Sequence, residues 1–502
     1  MTATFDSLDP ATGDVAGTYP EQGPDEVRAA VTRAQEAARW WSALSFGERA
    51  EHLTRWKGVL TRRMAQLVEV VHAETGKPYG DAQLEVVIAI DHLAWAASHA
   101  KKVLGVRNRA PGLLMANQAA TVEYLPLGVV GVIGPWNYPV FTPMGSISYA
   151  LAAGNAVVFK PSEYTPGVGV WLANSFAEAV PGHPVFQVVT GHGDTGAALC
   201  RAGVNKVAFT GSTRTGKRVM AACAENLIPV IIEAGGKDAL LVDADADVDA
   251  AADAAVWGAM SNAGQTCTGI ERAYVHHQVY DQFVAKVVDL ARDIRVGSDD
   301  DAQIGPITMP AQLDVIRDHL TDAVARGATV LLGGPDAVGD RYVQPTILAD
   351  VPQDARAITE ETFGPTLTIN KVADMDEAVT LANATRYGLG SAVFSASRGA
   401  ALARRLRSGM TSVNSVIAFV GIPSLPFGGV GDSGFGRIHG PDGLKEFTYA
   451  KAVTRQRFAA PLALTTFSRQ PKTDAQVAQA ITVLHGGGGT LPAKPKRFPR
   501  PW

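Results

Sequence analysis

Cysteine is scarce in this chain, with three among 502 residues, at positions 200, 223 and 267. So few, so far apart, make neither a disulfide framework nor a zinc-ligand spacing, so a reducing compartment and no bound metal are expected. No apolar run approaches the roughly 18 residues that a membrane span needs. The opening Met1-Thr-Ala-Thr-Phe-Asp has neither the basic nor the apolar region of a signal peptide. Charge of one sign is also missing: 45 Lys plus Arg against 49 Asp plus Glu leave a net charge of −4. Binding of a polyanion by bulk charge is thereby excluded. A soluble, cytoplasmic protein with no nucleic-acid partner and no stable membrane anchor is the expectation. What the chain does have is apolar material, with 46% hydrophobic and 19% charged residues, enough for a large core. Its length predicts two or three domains, and its 51 glycines exceed the usual share of about 7%.

The hydrophobic pattern divides the chain. Residues 25–43 predict an amphipathic helix with Val27, Ala30, Val31, Ala34, Ala38 and Trp41 on one stripe, and helices over about 47–73 and 80–101 follow. From about 119 the sequence is β-branched and glycine-punctuated. The runs NAVVFK (155–160), PVFQVV (184–189), KVAF (206–209), PVIIE (229–233) and ALLVD (239–243) alternate with helical stretches near 165–180, 194–203 and 213–226. That alternation predicts a doubly wound α/β unit. A second series of the same kind runs from about 250 to 440, through AYVHH, TVLLGG, LTINKV and SAVFS. After 458 comes a short predicted helix (472–484), then Gly486–Gly489 and a Pro-rich end made basic by Lys494, Lys496, Arg497 and Arg500. It is read as an extension lying on a subunit surface.

Three patterns resemble ligand loops and fall short of them. Gly191-His-Gly193-Asp-Thr-Gly196 has dinucleotide-loop spacing between a strand and a helix, but lacks the acidic residue expected about 20 positions on. It is read as a tight strand–helix turn. Gly211-Ser-Thr-Arg-Thr-Gly216-Lys217 is followed by Arg218 where a P-loop needs a magnesium-binding hydroxyl, which disfavours an ATPase. What survives there is a strand ending in Gly-Ser at a helix N-terminus, suited to a pyrophosphate. Asp243, Asp245 and Asp247 have the spacing of a calcium loop, but Val248 and Ala254 occupy the positions of its glycine and bidentate glutamate. These carboxylates are expected to start the following Ala-rich helix.

Four other segments carry chemistry. Asn262-Ala-Gly-Gln265-Thr-Cys267 sets a thiol after a Gly-Gln turn; a lone cysteine is either a small buried hydrophobe or a nucleophile. Ile232-Glu233-Ala-Gly-Gly-Lys237 puts a carboxylate at the end of an apolar strand, where burial would raise its pKa toward that of a base working near neutrality. Pro135-Trp136-Asn137-Tyr-Pro139 is a double-proline turn that aims one amide, and Glu361-Thr-Phe363-Gly-Pro365 is an acidic-aromatic turn ahead of a strand.

Together with Lys160-Pro-Ser162-Glu163 and Phe209-Thr-Gly211-Ser212, these segments resemble the aldehyde dehydrogenase superfamily. TGKP (75–78), NATRYGL (383–389) and PFGGVGDSGFGR (426–437) extend the likeness over about residues 5–457. One departure is Met260, where the family usually has another aliphatic or an aromatic residue. The run FTGSTRTGKRVMAACAENLIPV, with GFGRIHG, is most similar to the short, class 3 members. The resemblance implies an α/β fold with a Rossmann-like cofactor domain (1–103 and 124–235), an α/β catalytic domain (236–445), a small β oligomerisation arm (104–123 and 446–458) and a C-terminal extension (459–502).

Carried over position by position, Cys267 is the implied nucleophile, giving a thiohemiacetal and then a thioester. Asn137 and the Cys267 backbone N–H form the oxyanion hole, and Glu233 activates the hydrolytic water. Lys160, Ser162 and Glu163 lie at the adenosine ribose, Gly211 and Ser212 at the pyrophosphate, Glu361 at the nicotinamide ribose, and Trp136 and Phe363 near the nicotinamide. Glu163 would repel a 2′-phosphate, so NAD is expected over NADP, although class 3 members often accept both. A CoA-acylating relative is disfavoured by Glu233, a P-loop transferase by Arg218, and a non-catalytic scaffold by the intact Cys267, Glu233 and Asn137. A homodimer or homotetramer is expected, because an edge-strand arm needs a partner sheet. Trp136, Tyr138, Phe141 and Phe419 are compatible with an apolar aldehyde but select no chain length or ring. Cys200 and Cys223 are read as packing residues, and His276, His277 and His439 as surface or structural ones.

Overall fold

The computed structural model describes residues 3–299, 301–460 and 464–486. They divide into two compact units: Met1–Gly105 with Tyr124–Tyr449, and Val106–Glu123 with Ala450–Trp502. The larger unit holds two mainly parallel sheets. The first has six strands in the spatial order Gly434–Phe435, Val230–Ala234, Lys206–Gly211, Val129–Ile133, Ala156–Lys160 and Phe186–Val188. The second has seven, in the order Thr329–Leu332, Thr346–Ala349, Thr366–Val372, Ile270–His276, Asp238–Val242, Ser391–Phe394 and Ser412–Val413. Only the strands Gly434–Phe435 and Thr329–Leu332 at one edge of each sheet run antiparallel to their neighbours. Central strands such as Val129–Ile133, Ala156–Lys160 and Asp238–Val242 are buried at every position. That is why they read as unbroken apolar runs rather than alternating ones.

Helices close both faces of the first sheet. The Pro24–Ala43 helix turns its stripe of Val27, Ala30, Val31, Ala34, Ala38 and Trp41 inward, and the Trp41 indole N–H donates to Leu151 O at 2.8 Å. The single helix expected over 47–73 is two. Phe46–Arg62 begins at a capping box in which Ser45 and Glu48 satisfy each other's backbone N–H, at 3.3 and 2.7 Å. It ends at Arg63, which leaves helical geometry, and Met64–Thr75 starts anew. The Arg63 guanidinium ties the break to Gln66 and Glu178.

A second correction concerns ALLVD, expected in the same series as PVIIE. The two strands lie in different sheets, joined only through Gly235-Gly236-Lys237. Both glycines are needed for close approach: a Cβ on Gly235 would collide with the Glu361 carboxylate, and one on Gly236 would lie 2.5 Å from the Cys267 carbonyl oxygen. Of the three aspartates at 243–247, only Asp247 caps the Val248–Met260 helix. Asp243 pairs with Arg398 and Asp245 accepts from Ser395, Ala396 and Ser397, so both fasten the loop after strand Ser391–Phe394.

In the smaller unit Arg107–Arg109 pairs antiparallel with the strand Gln118–Pro126, and Lys451 faces Glu123 at 3.8 Å. Its helix, Pro471–His485, has no buried residue. The Gly-rich run from residue 487 and the basic Pro-rich end lie outside the described residues. No helix among the described residues is long and apolar enough to cross a membrane.

Candidate active site

Four of the sequence-predicted residues leave the sheets at the carboxyl ends of neighbouring parallel strands. Lys160 and Gly211 end their strands, in register with Ile133 and Ala234; Glu233 is the last residue but one of its own, opposite Thr210, and Asn137 follows Ile133 by four residues. This is where an open α/β sheet leaves a ligand crevice. The Gly211-Ser212 step opens the Thr213–Ala224 helix, with the Ser212 hydroxyl accepting from the Thr215 N–H at 3.3 Å. The remaining first-turn N–H groups and the positive end of the helix suit a phosphate.

The thiol is presented by a contorted segment. Asn262, Ala263 and Gly264 have φ of 52°, 55° and 71°, three consecutive left-handed residues of which only the last is glycine. Such backbone persists only where its surroundings over-determine it. Asn262 donates to the carbonyls of Asn137 (3.1 Å) and Gln265 (3.2 Å), and the Gln265 amide bridges Asn262 O (3.0 Å) and the Thr308 N–H (2.8 Å). A Cβ on Gly264 would strike Gly364, so the thiol segment lies directly against the Glu361–Pro365 turn.

Cys267, half-buried, directs its Sγ at the Glu233 carboxylate, 3.8 Å away. Burial pushes the thiol well above its ordinary range, reinforced by the carboxyls of Glu233, Glu361 and Asp238. Burial likewise pushes Glu233 up to about 7, against hydrogen bonds from Thr210 and Cys267. The Asn137 amide is fastened to the thiol segment, its Nδ2 donating to Gln265 O at 2.8 Å.

Glu361, half-buried, packs against Gly235 and accepts from the Gly236 N–H at 2.9 Å. Burial, then the nearby Glu271, push it up to about 8, while the Gly236 N–H and Lys237 pull the other way. Its turn hangs from Glu271, whose carboxylate accepts from the N–H groups of Thr362 (2.9 Å) and Phe363 (3.1 Å) and pairs with buried Lys237. The left-handed Phe363 (φ 55°) thereby meets Trp136 edge-on, ring centres 5.6 Å apart. Buried Lys160 lies 3.4 Å from Glu163, as does the Ser162 hydroxyl. Burial alone would raise Glu163, but Lys160 holds it below the usual carboxylate range.

Several residues that matter here escaped the sequence reading. Lys77 Nζ donates to Glu85 and to the Asn137 carbonyl, both at 2.7 Å, and lies 4.2 Å above the Tyr138 ring. Glu85 accepts from the N–H groups of Val140 (2.7 Å) and Phe141 (3.0 Å), so this fully buried pair grips the Asn137 turn at both ends. TGKP was the signal for Lys77; Glu85 and Glu271 had none. The Gly191–Gly196 turn is tied to the N-terminal segment, since Thr195 and the Thr190 N–H bind Gln22. His439 is wholly buried beside His92, Phe141 and Phe427, a packing rather than a surface position.

The aldehyde dehydrogenase family profile matches residues 1–453. The chain belongs to the aldehyde dehydrogenase family. It is accordingly an aldehyde-oxidising oxidoreductase of the NAD(P)-dependent kind. The chain is 37% identical to a 4,4'-diapolycopene aldehyde oxidase of a Methylomonas species, over 91% of this chain and 87% of that protein. It is also 37% identical to a Mycobacterium ulcerans protein assigned as an NADP(+)-dependent succinate-semialdehyde dehydrogenase, over 91% and 89%. The structure of an NAD-dependent aldehyde dehydrogenase from Sinorhizobium meliloti superposes with a TM-score of 0.88 at 34% identity, covering 92% of this chain and 93% of that one.

Proposed function

We propose that this enzyme oxidises an aldehyde to a carboxylic acid through a covalent thioester on Cys267, with Glu233 as the base of both half-reactions. The observation that carries this reading is the 3.8 Å contact between Cys267 Sγ and a Glu233 carboxyl whose pKa burial has moved to about 7. A thiol raised by burial needs a partner to take its proton, and a carboxylate with that pKa can do so near neutrality. The thiolate adds to the aldehyde carbonyl, and the Asn137 amide and the Cys267 N–H stabilise the oxyanion of the thiohemiacetal. A nicotinamide cofactor, when bound, accepts the hydride. Glu233 passes the thiol proton to solvent, then draws a proton from the water that attacks the thioester and returns it to the leaving Cys267 thiolate, so the acid leaves as the thiol is restored. A CoA-acylating enzyme would have no use for a buried base at this position.

The residues suit that cofactor. Glu163 stands at the crevice with about a third of its side chain exposed. Lys160 beside it would hold ribose hydroxyls, the Ser212-capped helix the pyrophosphate, Glu361 the second ribose, and Trp136 and Phe363 one wall of the nicotinamide site. The Glu163 carboxylate opposes a 2′-phosphate, so NAD is preferred; kcat/KM with NADP equal to or above that with NAD would contradict this. The smaller unit, whose strand Thr448–Gln456 is almost wholly exposed, serves as the arm through which a homodimer or homotetramer forms.

Two variants test the chemistry. Glu233→Gln should release no more than one equivalent of NADH, in a burst slowed by loss of the base that takes the thiol proton, and then stall. Cys267→Ala should bind cofactor and give no burst. Normal steady turnover in the first, or residual dehydrogenase activity in the second, would refute the corresponding role.

A further inference from the structure

The cavity that ends at Cys267 and Glu233 encloses about 760 Å³, counting the part open to solvent. Its walls come from Ile88, Phe141, Trp257, Ile417, Val420 and Phe427, and among the described residues no Lys, Arg or His lines it. The charged groups that do are all carboxyls: Asp81, Glu85 and Glu233. Glu85 is committed to Lys77 and to the N–H groups of Val140 and Phe141. Lys77 acts electrostatically on Asp81, but its own donors go to Glu85 and Asn137 and its charge sits over the Tyr138 ring. A substrate carboxylate in this cavity would therefore lose its hydration, find no cation and face Asp81. Two lining residues, Leu84 and Trp257, are each 47% exposed and so mark an apolar mouth.

We infer that the substrate is an uncharged, apolar aldehyde whose hydrocarbon tail lies along these walls and emerges between Leu84 and Trp257, and that aldehydes with a distal carboxylate are rejected. This inference rests on the aldehyde-oxidising reading of the same site. It parts from the relative named for succinate semialdehyde, while the likeness to a 4,4'-diapolycopene aldehyde oxidase agrees with it.

The test is kcat/KM at saturating NAD for straight-chain aldehydes from butanal to dodecanal and for succinate semialdehyde. Burial of each added methylene should raise the value roughly fourfold, until the chain reaches the mouth and the profile levels. Succinate semialdehyde should fall at least a hundredfold below pentanal. A flat chain-length profile, or succinate semialdehyde equal to pentanal or better, overturns the inference and leaves the aldehyde-oxidising reading standing; no turnover of any aldehyde removes both. Leu84→Arg, at an exposed position, should favour succinate semialdehyde over decanal by at least tenfold relative to wild type, with NADH binding by fluorescence unchanged. No change in that ratio overturns the placement of the mouth.

Discussion

The two sides of the reactive thiol are made of opposite materials. Toward the proposed cofactor crevice lie Lys160, Glu163, Lys237, Glu271 and Glu361, charged groups that are buried or half-buried and held by ion pairs with one another or by hydrogen bonds from backbone. Toward the substrate cavity lie Ile88, Phe141, Trp257, Val420 and Phe427, whose one shared property is that they exclude water. Burial affects the two sides differently. On the polar side it costs desolvation, which is recovered only where each charge has a partner, and it leaves Glu233 and Glu361 with raised pKa values. On the apolar side burial is itself the attraction. Reaction type is therefore expected to depend on the first set and substrate choice on the second.

The residue pair that spans both sides is Lys77 and Glu85, and breaking it should have the largest effect. Lys77→Met strands a buried Glu85 carboxylate, which typically costs about 3–5 kcal/mol, and leaves the Asn137 carbonyl with Asn262 as its donor. Stability should fall by that order in denaturant unfolding, and kcat should fall with it. Removing both charges, as Lys77→Met with Glu85→Leu, should recover part of the stability but not kcat, because the N–H groups of Val140 and Phe141 lose their acceptor and the Asn137 carbonyl loses one of its two donors. Recovery of both together would show that the pair only stabilises and does not position the turn. Asn137→Ala is a narrower cut on the polar side. Loss of one oxyanion donor should lower kcat by about 10²–10³ equally for every aldehyde, leaving the order of substrate preference intact. A reordered preference would break the division of labour between the two sides.

The same contrast explains what could be read from the sequence. The polar side is assembled from short motifs, each a turn whose residues act together: Pro135–Pro139, Lys160–Glu163, Glu233–Lys237, Asn262–Cys267 and Glu361–Pro365. A few adjacent letters suffice to show them, and the structure brings all five into one crevice. Apolar walls need only bulk in the right place, so Leu84, Ile88, Trp257, Ile417 and Val420 contribute singly and carry no local signature, whereas Tyr138, Phe141 and Phe427 stand in or beside the motifs. Pairings at long range were equally silent. Nothing near Glu271 showed that it would hold the turn at Thr362 and Phe363, and nothing in the glycines at 235 and 236 told a sheet-crossing link from a tight turn. Gly264 marked the left-handed run before Cys267, but Asn262 and Ala263, held there by tertiary hydrogen bonds, did not. The strand pattern was legible because parallel strands are buried on both faces. The break at Arg63 was not, because the apolar periodicity continues across it.

Asp238 offers the smallest and most specific check on how the polar side is built. It begins the strand after the Gly235-Gly236 link, its Oδ1 accepting from the Gly390 N–H at 3.0 Å and its Oδ2 buried without a partner. Burial pushes its pKa up to about 8, opposed by the Gly390 N–H and by Arg272. A carboxyl raised on folding favours the folded state fully only below its unfolded pKa, near 4, and that contribution is lost as pH climbs through 8. An asparagine in its place would copy the shape of the protonated form and has no proton to lose. Asp238→Asn should therefore melt close to wild type at pH 5 and progressively above it toward pH 8, by about 2–4 °C at the upper end. The raised carboxyls of Glu233 and Glu361 should leave both proteins with a common downward slope. Melting curves that stay parallel from pH 5 to 9 would mean that Asp238 ionises at an ordinary pH despite its burial, and that Arg272 supports it as fully as Lys77 supports Glu85.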